Sequence, residues 1–134
     1  MHYVLKITIL IIILALVQSP GCGQIVKDRK LIIGIWVAED KSSQLEFKAT
    51  GECFESAPSS KVSDVYTYKI IDIMPNCSPK ESMIIDPKQK VTFLEMIEKG
   101  TGLQYCYQIN GITATTLSLR MLGSGGYILY KRKK

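Results

Sequence analysis

The chain reads as short apolar or alternating runs cut by turn signals, at a spacing that suits β-strands. LIIGIWVA (31–38) stops at EDKSS. QLEFKA (44–49) alternates, with Leu45 and Phe47 on one face, and stops at Thr50-Gly51. ECFES follows, then the loop APSSK. DVYTYKIIDI (64–73) is rich in β-branched and aromatic residues and ends at MPNCSPK, whose prolines interrupt any ladder. ESMIID (81–86) ends at Pro87, and VTFLEMIE (91–98) ends at KGTG. LQYCYQI (103–109) places Leu103, Tyr105, Tyr107 and Ile109 on one face. Asn110-Gly111 then predicts a tight hairpin turn, because both central positions of a type I′ turn need positive φ. ITATTLSLRML (112–122), GSGG and YILYKR complete the series.

No window carries a helical period long enough to compete with these strands, and FLEMIEK, the nearest case, is too short. Short runs joined by short turns predict an all-β fold, an antiparallel up-and-down meander. Such a meander either closes or leaves edges that pair with other chains, so a small eight- to nine-stranded barrel is expected. At about eight strands the interior is filled by side chains or holds one small ligand.

The N-terminus follows another pattern. ITILIIILALV (7–17) is apolar apart from Thr8, follows Lys6, and precedes QSPG and Cys22. A charged start, an apolar centre and small residues before a cut predict a secretory signal over residues 1–21. A membrane span needs about 20 apolar residues, more than this run offers. Gly21-Cys22 resembles the end of a bacterial lipoprotein signal, in which the cysteine is acylated and becomes the first mature residue. Residues 22–30, CGQIVKDRK, are polar and aperiodic and read as a tether, leaving 31–134 as the barrel domain. The expected location is the cell envelope, anchored in the outer membrane through Cys22. A plain cut after Gly21 or Gly23 is the alternative, and gives a secreted or periplasmic soluble protein.

Removal of the signal takes His2, the only histidine, with it. That excludes histidine-based nucleophilic sites and histidine-ligated metals. The carboxylates Glu52, Glu55, Asp72, Glu81, Asp86, Glu95 and Glu98 are scattered, with no pair marked out for acid–base work. No catalytic residue, cofactor or metal is therefore expected. Cys53, Cys77 and Cys106 allow one disulfide in an oxidising compartment; Cys53–Cys77 is preferred because both lie near loops flanking one hairpin. The formal net charge of +5 drops by one with Lys6, and the tail KRKK reads as the solvated end of a strand. No basic stripe accompanies the aromatic residues, so nucleic acid is not an expected partner.

GIW, LEFKATG, YKI, YQINGITATTLSL and LYKR, in this order over 31–132, resemble the small lipocalin-like domains of Bacteroidetes-type lipoproteins. The resemblance implies a Trp36 indole at the closed end of the barrel beneath the Arg132 guanidinium, with Arg120 the alternative register. Such a pair is structural, held by cation–π attraction. Phe47, Tyr66, Tyr68, Tyr105 and Tyr107 are the candidate ligand-binding residues, either filling the interior or stacking on an apolar ligand at the mouth. The expected function is that of a non-enzymatic, lipid-anchored envelope protein that binds a small apolar ligand. The alternative is a protein–protein module such as a lysozyme-type inhibitor. In that case GSGGY (123–127), with Ser124, enters the cleft of an envelope enzyme.

Overall fold

The computed structural model describes residues 22–77, 90–123 and 126–134. The signal segment, the run ESMIID and Ser124 lie outside the described residues. Among the described residues, the helix α1 (Cys22–Leu31) precedes β1 (Gly34–Ala38), β2 (Gln44–Phe47), β3 (Glu52–Ser56) and β4 (Asp64–Ile71). The second half holds β5 (Thr92–Glu98), β6 (Gln104–Ile112), β7 (Thr116–Met121) and β8 (Tyr127–Arg132). All eight strands form one closed antiparallel barrel in chain order. The closing ladder sets Trp36 opposite Arg132, Val37 opposite Lys131 and Ala38 opposite Tyr130.

Period-two alternation builds the core. Leu45 and Phe47 on β2, Cys53 on β3, Tyr66 and Ile70 on β4, and Leu117 and Leu119 on β7 all turn inward and are buried. Leu94 and Met96 join them from β5, and Trp36 is completely buried. Phe93, on the opposite face of β5, is also buried but stands apart from this cluster. Following the chain through the meander, α1, the turn 48–51, the turn 113–115 and residues 133–134 gather at one pole. The turns 39–43, 57–63 and 99–103 gather at the other.

Three boundaries differ from the sequence reading. Residues 22–31 are helical rather than a tether, and the first strand begins at Gly34 rather than Leu31. The inward positions of this segment are Ile25, Asp28 and Ile32, which fall on one helical face. A carboxyl in the middle hides the apolar stripe that would have revealed it. Asp28 is 1% exposed, yet its oxygens accept 2.7 Å hydrogen bonds from Gln24 Nε2 and from Thr92 Oγ1 on β5. These bonds make burial of the carboxyl tolerable and lock the helix to the barrel.

The third difference concerns Asn110-Gly111, which lies inside β6 rather than at a turn. The register against β7 shifts between Ile109 and Gly111, so the pair forms a β-bulge. The chain reverses at 113–115, where Thr113 Oγ1 accepts from the amides of Thr115 (3.2 Å) and Thr116 (3.0 Å). A threonine side chain thus supplies the turn geometry that Asn-Gly was expected to supply.

Candidate functional site

The helix-capped pole is organised around Arg132. Its guanidinium carbon lies 4.2 Å from the centre of the Trp36 ring, within cation–π range. Nη1 donates to the carbonyl of Ile33 (2.7 Å), Nε to that of Ala114 (2.7 Å), and Nη2 to that of Leu31. The Trp36 indole N–H donates to the carbonyl of Ile32 (2.7 Å). The donors to Leu31, Ile32 and Ile33 satisfy carbonyls left open where α1 ends, the one to Ala114 ties in the β6–β7 turn, and the cation offsets the negative end of the helix dipole. Gly34 completes the arrangement with a φ of +136°, and any Cβ there would overlap Arg132 Nη1. Arg120 takes no part, since its guanidinium lies 5.9 Å from the Tyr127 ring.

The candidate aromatic residues meet inside the barrel. Phe47 and Tyr68 pack edge to face at 5.0 Å between centroids, and Tyr66 and Tyr105 do so at 5.8 Å. Tyr105 and Tyr107 are partly buried against the same core. The hydroxyls are also engaged: Tyr66 donates to Glu55 Oε2 (2.9 Å) and Tyr68 to the carbonyl of Lys48 (2.7 Å). Burial pushes the phenols of Tyr66, Tyr68, Tyr107 and Tyr130 up, with Glu55 adding to the effect at Tyr66, Tyr107 and Tyr130. Phe47, Tyr66, Tyr105 and Tyr107 pack against the interior core, whereas Tyr68 also reaches the surface beside α1.

The disulfide differs from the expected pairing. Cys77 is bonded to Cys106 across 6.3 Å between Cα atoms, and Cys53 is a free, fully buried thiol. The alternation of the strands explains this. Cys53 points inward, opposite Phe47 and Tyr66 in the register, whereas Cys106 lies between the inward Tyr105 and Tyr107 and so faces out. The connection that follows β4 carries Cys77 to that outer face. Burial, followed by the charges of Glu55 and Glu46, pushes the Cys53 thiol up, which keeps it protonated and unreactive.

Among the described residues, two depressions bear on function. A polar one of about 250 Å³ lies at the mouth, lined by Ser42, Ser43, Glu55, Ser56 and Asp64 among others. The larger, about 550 Å³, is an apolar cleft between α1 and the barrel wall. Val26 and Ile33 form one side of it, Tyr68, Ile70 and Ile71 the other, with Ala49 and Gly51 at the adjoining turn. Arg29, Lys30 and Lys69 also line it, and Arg29 Nη2 donates to the carbonyl of Ile70 at 3.1 Å. Sequence reasoning misses this cleft because Val26, Arg29 and Lys30 stand on a helix where the sequence predicts a tether.

Among the described residues, no group of three or more His, Cys, Asp or Glu side chains is placed to hold a metal ion. No helix among them is long and apolar enough to cross a membrane. Compared with known proteins, the chain matches no family model, no curated protein and no solved structure.

Proposed function

We propose that the chain is an exported, lipid-anchored, lipocalin-like binding protein of the cell envelope that holds a small apolar ligand without chemical conversion. The apolar cleft of about 550 Å³ carries this reading, because it falls in the size range of small-molecule sites and is lined mainly by hydrocarbon. The proposed ligand site is the cleft beside α1, to which Tyr68 alone of the candidate aromatic residues contributes. Cys22, the first residue of that helix, is the proposed acylation point; several acyl chains on one cysteine anchor stably where a single chain holds only marginally. The inhibitor alternative draws on Ser124, which lies outside the described residues.

Two measurements on the full chain test this proposal. Cys22→Ser is expected to move the protein from the membrane fraction to the soluble one; a variant that stays membrane-bound overturns the anchor. Native mass spectrometry of the purified protein is expected to show a low-mass apolar adduct that organic extraction removes. A protein that carries no adduct and takes up no apolar dye overturns ligand binding.

A further inference from the structure

We infer that the cleft beside α1 is a site for one single-chain anionic amphiphile, a long-chain carboxylate, whose charge is selected by Arg29, Lys30 and Lys69. The inference rests on the binding reading above and adds the charge of the ligand to it. No acidic residue lines the cleft. Among the described residues, the ion pairs are Lys99–Glu52 and Lys131–Glu39, so none engages Arg29, Lys30 or Lys69, although Glu95 stands opposite Lys69 in the β4–β5 ladder. Their charges stand beside hydrocarbon: Val26 is 47% and Ile33 39% exposed at the same cleft.

That pairing of surfaces fits a molecule with a hydrocarbon chain and an anionic head. Arg29 is partly positioned for the head, since its bond to the Ile70 carbonyl holds the guanidinium over the end of β4 while using one of its donors. The end of α1 would otherwise repel an anion, but the Leu31 and Ile33 carbonyls are occupied by Arg132. The cleft, at about 550 Å³, has room for one such molecule.

The test uses the full chain held in phosphatidylcholine nanodiscs and a photoactivatable palmitic acid, with the matched long-chain alcohol as control. The acid is expected to label peptides containing residues 26–33 and 68–71, about tenfold more than the alcohol, since exposed ion pairs of modest strength add across the rim. Lys69→Ala and Lys30→Ala together are expected to bring acid labelling down towards the alcohol level. Lys41→Ala, at the opposite pole, leaves it unchanged. Equal labelling by acid and alcohol overturns the charge selection while leaving the apolar site standing. Labelling by neither removes both this inference and the binding reading. Labelling confined to the turns 39–43 and 57–63 places the site at the other pole and overturns the inference. Protection of the cleft only by phosphatidylglycerol discs, with no response to the acid, assigns the surface to a bilayer and does the same.

Discussion

Arg132 passes over Gly34 so closely that a single methyl group on the glycine would overlap its Nη1 atom. The contact links the last strand to the residue at which the chain leaves α1 and enters β1. Gly34 and Trp36 are therefore not independent motif positions. Each makes room for, or a surface beneath, the same guanidinium.

Gly34→Ala is expected to lower unfolding free energy by about 2–4 kcal/mol, from the φ strain and from displacement of Arg132. In an Arg132→Ala background the same change loses its steric part and costs less. Urea unfolding of the four proteins in the cycle gives the coupling directly, and a coupling of zero would show that the two residues do not interact.

Removal of the Asp28 carboxyl tests the lock between α1 and the barrel. Asp28→Ala leaves the Thr92 hydroxyl and the Gln24 amide without their partner and is expected to cost about 1–3 kcal/mol. Hydrogen exchange should show residues 22–31 opening first, ahead of the strands. Unchanged protection in that segment would contradict the locking role.

Non-reducing peptide mapping is expected to recover Cys77 linked to Cys106, with Cys53 alkylated only after denaturation. Cys77→Ala should destabilise the fold by about 3–4 kcal/mol, the loop-entropy value for a sequence separation of 29. Rapid alkylation of Cys53 in the folded protein would contradict its burial.

Alkaline pH provides a further check. Burial raises the phenol of Tyr107, and burial with the Glu55 hydrogen bond raises that of Tyr66, above the ordinary value of 10.0. Above pH 10 the unfolded chain releases phenolic protons that the barrel retains, so stability is full below that point and falls as pH rises. Tyrosinate absorbance should therefore rise in two steps, the second coinciding with loss of β-sheet circular dichroism. One smooth step centred at 10 would show that the rings are solvated.

The strands and their closure were legible because inward and outward residues alternate cleanly, as in QLEF and TLSLRM. The helix was not, because its buried face carries Asp28, whose partner Thr92 lies 64 residues away. Local hydropathy cannot register a carboxyl made tolerable by a distant hydroxyl. Asn110-Gly111 misled for a related reason: a bulge and a turn draw on similar local residue preferences, and pairing with β7 decided between them. The disulfide followed from which face of β6 bears Cys106, a point that the alternation of Tyr105 and Tyr107 already contained. The apolar cleft had no contiguous signal, since Val26 and Ile33 meet Ile70 and Ile71 only after the barrel has closed.

The ladder between β1 and β8 also bears on how the protein is made. Gly34–Ala38 is among the first strands to be synthesised, and its second neighbour is the last. Until Tyr127–Arg132 has been delivered, the sheet is open along one side, and neither Trp36 nor the end of α1 has its cap. A pairing of such long sequence separation forms slowly. The emerging polypeptide thus stays unclosed until the strand that pairs with β1 arrives.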